Sequence, residues 1–281
     1  MKYKNTIYEA NPNNNKWLVL DIDECLYPPK FDDNSEFFAS TFVTIEKEFS
    51  KKYLNLIKKN TCKIKNIHTN CDIKNLFNLR KYLGDITKSH ARIIGLFITL
   101  KELNIYVPVN EYHCAISKNF RYDKIEKNEN IINAIQTAKC NNMKCAIFSN
   151  ASYFHIMKCL QRLELNIKLF DYISCLNFVS DNVIMERKPN LYSFKKFQNE
   201  INAKPENIFF FDNSINNCIS AFHLRWNAIL VNTNIPKNVM YHKCTIKIKP
   251  VKNTIDILTN TNKNKCIYQI DSISNINFII N

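Results

Sequence analysis

A chain of 281 residues with 46% apolar and 23% charged residues is long enough for one large globular domain or two modest ones. It contains only two glycines, which excludes the glycine-rich phosphate loops of P-loop nucleoside triphosphatases and dinucleotide-binding dehydrogenases. The formal net charge of +14 favours anionic ligands. The lysines are scattered without interleaved arginines and aromatic residues, so nucleic acid is not the favoured partner.

The remaining composition bears on compartment and metal chemistry. No apolar stretch is long enough for a membrane span, and the first sixteen residues are polar, so no membrane association is expected. The eleven cysteines include no Cys-x-x-Cys pair, which indicates free thiols in a cytoplasmic, reducing compartment. The six histidines lie far in sequence from any paired cysteines, and a zinc site is therefore not expected.

The first third of the chain predicts one strand and then a block of helices. Residues 1–15 are expected to form a flexible leader. The short apolar run Trp17–Leu20 stops abruptly at Asp21, as a buried parallel strand does when it delivers its end to a site. Residues 31–125 contain no comparable run and predict an all-helical cap inserted after the first strand. Apolar residues at helical spacing place its helices near 37–59, 93–103 and 112–116.

The rest of the chain alternates strands and helices. Three further apolar runs end in polar residues: Cys145–Phe148, Ile208–Phe211 and Ala228–Val231. Helix-period segments lie between them at 130–139, 153–163 and 191–197, the last after Pro189 as a first-turn proline. This pattern predicts an α/β fold, with residues 16–30 and 126–281 forming a Rossmann-like three-layer αβα core around a mostly parallel sheet. The tail predicts an edge strand at Thr245–Lys249 and a closing helix near 267–280.

The predicted strand ends carry a set of residues suited to phosphoryl transfer. In a continued strand, Asp21 and Asp23 share a face, so that one can attack phosphorus while the other donates a proton to the leaving oxygen. A hard divalent cation would offset the repulsion between carboxylate and phosphate, and Asp212 is a suitable ligand for it. Lys188 and Ser149 are suited to the phosphoryl oxygens. Each of these motifs alone is equally typical of a helix cap or solvated turn. Together they indicate phosphoryl transfer, because they occur in this order along the chain and are all predicted to lie at the same edge of the sheet.

The ordered set resembles the haloacid dehalogenase (HAD) superfamily, and within it the pyrimidine 5′-nucleotidase-like branch. Asp21-Ile-Asp-Glu-Cys-Leu-Tyr-Pro-Pro29 resembles the first motif of that branch, and Phe148-Ser-Asn-Ala151 resembles the second. Glu186-Arg-Lys-Pro189 resembles the third motif, and Phe210-Phe-Asp-Asn-Ser-Ile-Asn-Asn217 the fourth. The resemblance runs from about residue 16 to the end, but it is specific only at these motifs.

The resemblance implies a role for each motif residue in an Mg²⁺-dependent phosphomonoester hydrolase acting through a phospho-aspartate. Asp21 is implied as nucleophile and metal ligand, and Asp23 as acid/base that also binds the metal through its backbone carbonyl. Lys188 is implied to stabilise the phospho-aspartate. The remaining implied roles are phosphate binding for Ser149 and Asn150 and metal binding for Asp212 and Asn213.

Two positions depart from the usual motifs. Cys25 often corresponds to threonine in the superfamily, and it is interpreted as a packed residue. Asn213 stands where the family usually has an aspartate, which keeps an oxygen ligand and removes a negative charge. Weaker metal binding or a degraded enzyme are the expected consequences.

The sequence leaves three functions open. A nucleoside 5′-monophosphate, with pyrimidine nucleotides first, is the substrate that the resemblance implies. A sugar phosphate, a vitamin phosphate or a lysophospholipid is the alternative within the same chemistry, with Tyr27, Arg92 and His113 as candidate contacts. The third reading is a catalytically weak HAD-fold binding module for RNA or phosphoprotein, suggested by Asn213 and the basic charge.

Overall fold

In the computed structural model, the chain divides into two compact units, residues 1–29 with 125–281 and residues 30–124. The residues that the structure describes are 15–27, 44–45, 47–53, 55–56, 59, 100, 103–176, 186–231, 238–241, 244–250 and 266–270. Within these ranges, no helix is both long and apolar enough to cross a membrane.

The first unit is built on an eight-stranded sheet. Its strands are β1 (Trp17–Leu20), β2 (Lys144–Phe148), β3 (Tyr172–Ser174), β4 (Ile208–Asp212), β5 (Asn227–Val231), β6 (Asn238–Tyr241), β7 (Cys244–Pro250) and β8 (Ile267–Ile270). The spatial order is β3-β2-β1-β4-β5-β8-β7-β6. Every neighbouring pair is parallel except β6 with β7. The α/β class with a mostly parallel sheet is thus confirmed, as are the four strands predicted from apolar runs.

Both faces of this sheet are covered, as the three-layer prediction requires. Trp17 and Val19 in β1 belong to a buried cluster on one face, while Leu18 and Leu20 point to the other face and are equally inaccessible to solvent. A strand that is buried on both faces has a continuous run of apolar residues in its sequence, because neither face contacts water.

An aromatic group fills the first face. It contains Phe148 from β2, Phe210 from β4, Phe194 and Phe197 from a covering helix, and Trp226, with ring centroids 4.5–6.0 Å apart. Burying side chains this large supplies much of the apolar area that stabilises the unit. The ends of β2 and β4 are thereby held at a fixed spacing, and this spacing positions the site.

Five α-helices have both of their ends in the described part of the chain. They are α1 (Val109–Asn119), α2 (Glu129–Cys140), α3 (Tyr153–Arg162), α4 (Leu191–Ile201) and α5 (Ile215–His223). Side chains of Asn128, Ser152 and Asn190 accept hydrogen bonds from the first-turn amides of α2, α3 and α4, which satisfies donors that otherwise lack a partner. The assignment of Pro189 to the first turn of α4 is wrong, because Asn190 is the N-cap and Pro189 precedes it.

Of the predictions for the C-terminal tail, the strand at Thr245–Lys249 is confirmed, but its edge position and the start of the closing helix are wrong. β7 is an interior strand, paired with β6 on one side and β8 on the other, and the edge is β6. The predicted closing helix near 267–280 begins instead with β8, which lies between β5 and β7 and buries Ile267 and Ile270. The residues after 270 lie outside the described ranges.

The second unit is helical wherever the structure describes regular elements in it. The described positions between 44 and 59 are helical, as is α1, where a helix was predicted at 112–116. Tyr53 donates a hydrogen bond to Glu111 at 2.9 Å, and Phe49 stacks on Tyr53, so the two helical segments pack together. Most of the helix predicted at 93–103 and nearly all of the leader at 1–15 lie outside the described residues.

Candidate active site

The ends of three neighbouring strands bring the predicted residues to one edge of the sheet. Asp21 follows β1, and its backbone N–H continues the pairing by donating to the Phe211 carbonyl at 2.9 Å. Ser149 follows β2, and Asp212 is the last residue of β4. Because β2, β1 and β4 are adjacent and parallel, the three residues emerge side by side where ligands bind in open α/β sheets.

Lys188 reaches this edge from the loop before α4 and joins the strand ends. Its ammonium donates to Asp212 Oδ2 at 2.6 Å and to the Phe148 carbonyl at 2.7 Å, and it lies 3.2 Å from Asp21 Oδ1. The side chain is only 1% exposed. Burial alone would lower the pKa of Lys188, but the carboxylates of Asp21 and Asp212 raise it above its ordinary value. The site therefore holds a permanent buried positive charge.

Asp212 is the most completely bonded of the carboxylates. Oδ1 accepts hydrogen bonds from the Ser214 backbone N–H at 2.8 Å and from the Asn217 amide at 2.9 Å. Oδ2 accepts from Lys188 and, at 3.0 Å, again from Asn217. These four bonds use the acceptor capacity of a carboxylate. They fix the orientation of Asp212 although its side chain is fully buried.

Asp21 differs from Asp212 in one respect that bears on metal binding. Its Oδ1 is buried, yet it receives no hydrogen bond from any described residue, because Lys188 approaches without hydrogen-bond geometry. Burial raises the pKa of Asp21 to about 7, with Asp212 and Asp23 adding to the rise and Lys188 opposing it. A buried carboxylate oxygen without a donor fits a hard cation such as Mg²⁺, which takes oxygen ligands.

Asp23 lies in a small polar group of its own. Oδ1 accepts hydrogen bonds from the Tyr27 hydroxyl at 2.7 Å and from His155 Nε2 at 2.9 Å. Burial would raise the pKa of Asp23, but His155 and Tyr27 outweigh it, and the pKa is lowered. Burial likewise would lower the pKa of His155, whereas its contacts with Cys159 and Asp23 raise it well above the ordinary value. In the resting protein, Asp23 is therefore a carboxylate paired with an imidazolium.

Sequence reasoning missed His155 and assigned Tyr27 only as a candidate substrate contact. His155 lies on α3, 132 positions from Asp23 in sequence, and a single histidine on an apolar helix carries no local signal of its partner. Of the other two candidate contacts, His113 belongs to α1 of the second unit, and Arg92 lies outside the described residues.

The two residues assigned to phosphate have different surroundings. Ser149 is buried and its hydroxyl accepts from the Ala151 N–H at 3.2 Å. Both polar atoms of the Asn150 side chain bind the backbone of Lys188, with Nδ2 donating to its carbonyl at 2.9 Å and Oδ1 accepting from its N–H at 2.8 Å. Asn150 therefore fixes the main chain that carries Lys188.

The unusual Asn213 is paired with Glu24. Asn213 Nδ2 donates to Glu24 Oε2 at 2.9 Å. This hydrogen bond does not use the amide oxygen of Asn213. Glu24 is one of the few residues with positive φ, at 56°, a conformation that costs a side-chain-bearing residue free energy. A negative charge is thus present beside Asn213, contributed by a neighbouring residue. Cys25 is buried as interpreted, and burial raises the pKa of its thiol well above the usual value.

A model of the family described as haloacid dehalogenase-like hydrolase matches residues 34–231, more than two thirds of the chain. The chain belongs to this family. The matched segment contains Ser149, Lys188 and Asp212 and begins after Asp21 and Asp23. The HAD family membership confirms the superfamily that the four motifs resemble, but it does not distinguish the nucleotidase branch within it.

Solved structures match the chain at low sequence identity. A HAD phosphatase from Thermococcus onnurineus is 12% identical, with a TM-score of 0.49 and coverage of 92% of this chain and 94% of that one. CbbY from Rhodobacter sphaeroides is 13% identical, with a TM-score of 0.46 and coverage of 93% and 96%. L-2-haloacid dehalogenase from Xanthobacter autotrophicus is 11% identical, with a TM-score of 0.44 and coverage of 93% and 96%. The comparison with curated proteins gave no match.

Proposed function

We propose that this HAD-family chain hydrolyses a phosphomonoester through a covalent phosphate on Asp21. The observation that carries the proposal is the placement of Lys188 Nζ, 3.2 Å from Asp21 Oδ1 and 2.6 Å from Asp212 Oδ2, in a buried setting. A nucleophilic carboxylate attacking a phosphate dianion must overcome like-charge repulsion. A buried ammonium fixed before the substrate arrives offsets that repulsion without further reorganisation.

The residues divide the reaction into two steps. Asp21 attacks phosphorus, and the bond from phosphorus to the leaving oxygen breaks as that oxygen takes a proton from Asp23, which receives it from the paired His155 imidazolium. In the second step, Asp23 takes a proton from water, whose oxygen attacks phosphorus and releases Asp21 with inorganic phosphate. The hydrogen bonds from Tyr27 and His155 to Asp23 favour the carboxylate form that the second step requires.

The acid/base group also favours a phosphatase over a dehalogenase reading of the same fold. Displacement of a halide from carbon needs no proton for the leaving ion, whereas an alkoxide leaving from phosphorus does. Asp23 is 28% exposed at its side chain, and its two donors hold it beside Asp21. Ester hydrolysis can use this second oriented carboxylate to protonate the leaving oxygen, whereas displacement of a halide cannot.

The residues around Asp21 fit a bound Mg²⁺. The ion would be held by the oxygen of Asp21 that lacks a hydrogen-bond donor, the Asp23 backbone carbonyl, Asp212 and the amide oxygen of Asn213. When bound, Mg²⁺ supplies a Lewis acid that neutralises charge on the phosphoryl oxygens. Asp212 gives up one of its four hydrogen bonds to serve as a ligand, because they already use its acceptor capacity.

Ser149 and Asn150 are proposed to bind the phosphoryl group. The side chain of Asn150 is committed to Lys188, so its contribution to phosphate binding would come from the backbone N–H. The Ser149 hydroxyl, which accepts from Ala151, keeps its proton for donation to a phosphoryl oxygen.

The proposed substrate is a nucleoside 5′-monophosphate, with pyrimidine nucleotides first. The support is the resemblance of residues 21–29, 148–151, 186–189 and 210–217 to the pyrimidine 5′-nucleotidase-like branch. The helical unit at 30–124 is proposed as the cap that selects the substrate and excludes water. Eight of the cysteines in the described part of the chain are free, which supports placing the enzyme in the cytoplasm.

Phosphate release from a panel of nucleotides, sugar phosphates and vitamin phosphates tests the proposal. We expect turnover of at least one pyrimidine monophosphate with Mg²⁺, none with chelator, and none for Asp21→Asn under either condition. Cleavage of aryl phosphate alone would overturn the assignment of a nucleotide substrate but not the assignment of phosphatase activity. Undiminished turnover by Asp21→Asn would overturn the phospho-aspartate. Steep salt-dependent retention of RNA without any turnover would favour the binding-module reading instead.

A further inference from the structure

Four polar side chains of the first unit meet beside the catalytic edge. Two, Asp23 and Tyr27, come from the turn after β1, and two, His155 and Cys159, come from one face of α3. His155 Nε2 lies 2.9 Å from Asp23 Oδ1 and 3.4 Å from Cys159 Sγ, and the Tyr27 hydroxyl lies 2.7 Å from Asp23 Oδ1. The carboxylate oxygen, ring nitrogen and sulfur all lie within 4.8 Å of one another.

These three atoms have the spacing of a metal ligand set. Around a tetrahedral zinc ion, with bonds of about 2.0 Å to nitrogen and oxygen and about 2.3 Å to sulfur, neighbouring ligand atoms lie about 3.3–3.6 Å apart. The separations of 2.9 and 3.4 Å reach this spacing with shifts of a few tenths of an ångström, and the third separation, from Asp23 to Cys159, is at most 4.8 Å. An imidazole and a thiol select a borderline-soft ion such as Zn²⁺ over Mg²⁺, which prefers oxygen alone.

We propose that Asp23, His155 and Cys159 form a second cation site, which binds Zn²⁺ and, when occupied, blocks hydrolysis. The inhibitory half of this proposal rests on the function proposed above. Zn²⁺ engages the Asp23 carboxylate and so removes the group that exchanges protons with the leaving oxygen and with water. It does not compete for the Mg²⁺ ligands, because Asp23 is expected to contact Mg²⁺ through its backbone carbonyl.

Burial and charge are compatible with an ion at this position. The side chains of His155 and Cys159 are almost fully buried, and the Asp23 side chain, at 28% exposure, forms the open side. The thiol must lose its proton to bind Zn²⁺, and the Asp23 carboxylate and Cys159 thiolate together then offset the two charges of the ion, while His155 binds as a neutral imidazole. The low-dielectric site therefore carries no net charge when the ion is bound.

This site differs from the usual zinc site in containing no paired cysteines, and the sequence therefore does not predict it. The structure brings one ligand from each of three residue types together, and only the spacing of four between His155 and Cys159 is visible in the sequence. Residues four apart on a helix lie on the same face. The third ligand is supplied by tertiary structure.

Cobalt substitution tests the site without reference to activity. The full chain, held in excess Mg²⁺, is titrated with Co²⁺ while its absorption spectrum is recorded. We expect one equivalent to give a thiolate-to-cobalt charge-transfer band and the visible bands of tetrahedral cobalt, and Zn²⁺ to remove them. Cys159→Ser should abolish the charge-transfer band, and His155→Gln should weaken Co²⁺ binding about tenfold or more.

Controls separate the proposal from loss of folding and from other thiols. Cys140→Ser, at an exposed cysteine at the end of α2, should keep the full spectrum, and circular dichroism should establish that each variant is folded. A band that persists in folded Cys159→Ser, or one that never forms in the wild type, would overturn the site.

Inhibition is measured separately with p-nitrophenyl phosphate at constant Mg²⁺. We expect the Zn²⁺ concentration for half-inhibition to rise about tenfold or more in Cys159→Ser relative to wild type. Equal sensitivity of the two proteins would mean that Zn²⁺ acts at the Mg²⁺ site and would overturn the inhibitory role. Cobalt binding without any hydrolysis would contradict the proposed function alone, and hydrolysis without cobalt binding would contradict the cation site alone.

Discussion

Lys188 separates two buried carboxylates that would otherwise face each other. Its ammonium contacts both Asp21 and Asp212, and the rings of Phe148 and Phe210 lie 5.2 and 5.3 Å from it. A charge this deeply buried is stabilised only by such partners. The residue proposed to assist catalysis is therefore also needed for the stability of the fold.

Replacing Lys188 by methionine should show how much Lys188 contributes to the stability of the fold. Lys188→Met keeps most of the side-chain volume and leaves two carboxylates uncompensated, which should lower the free energy of unfolding by about 3–5 kcal/mol. Urea denaturation in the presence of chelator measures it. Lys196→Met is the matched control, because Lys196 pairs with Glu186 at the surface with 35% of its side chain exposed. Its cost should stay within about 1 kcal/mol. Equal costs would contradict the buried ion-pair account.

The Asn213–Glu24 contact makes a second prediction about single residues. Asn213→Asp replaces a donor by a carboxylate at the position 2.9 Å from Glu24 Oε2, so two negative charges should repel each other without metal. We expect a lower melting temperature in chelator than for wild type, and a larger upward shift on adding Mg²⁺. Thermal unfolding with and without Mg²⁺ measures both.

Asn166→Asp serves as the control for Asn213→Asp. Asn166 caps the short helix Ile167–Leu169, where aspartate caps as well as asparagine. This variant should therefore show neither effect. If Mg²⁺ shifted the melting temperature of Asn213→Asp and wild type equally, Asn213 would not lie near the cation.

At the level of strands and helices, the sequence was informative wherever a signal was local. Short apolar runs ending in polar residues identified β1, β2, β4 and β5, and because parallel strand ends share an edge, they also predicted that Asp21, Ser149 and Asp212 converge. Alternation in Thr245–Lys249 predicted a strand correctly but not its position, because alternation reports on the two faces and not on whether both edges are paired. The pairing of β8 with strands distant in sequence, like the approach of His155 to Asp23, depends on tertiary structure and leaves no local pattern.

The position of β8 between β5 and β7 is testable by mutation. Ile267 is fully buried, so Ile267→Ala should destabilise the protein by about 2–5 kcal/mol through lost burial and the cavity left behind. Leu191→Ala, at a residue 40% exposed at the start of α4, is the control and should cost well under half as much. Chemical denaturation of both variants provides the comparison. Similar small effects would mean that residues 267–270 do not belong to the core.

The charge of the whole molecule adds a long-range effect to the local chemistry. The residues assigned to catalysis, phosphate binding and metal binding all belong to the unit formed by 1–29 and 125–281, and the chain as a whole carries a formal charge of +14. A basic protein attracts an anionic substrate during diffusion, and this attraction weakens as salt shortens the Debye length to about 8 Å at 0.15 M ionic strength. The buried pairs around Lys188 are screened far less.

These two facts predict different salt dependences for encounter and turnover. For a phosphate dianion, kcat/KM should fall several-fold as potassium chloride rises from about 20 to about 300 mM, because encounter is steered by exposed charge. The turnover number at saturating substrate should change less than about twofold, since it depends on buried groups. Steady-state kinetics at fixed Mg²⁺ measures both quantities. Repeating the series in potassium glutamate distinguishes screening from chloride competing for the phosphate position, because only screening gives the same trend in both salts. A kcat/KM that is independent of ionic strength would mean that the scattered lysines contribute nothing to substrate capture.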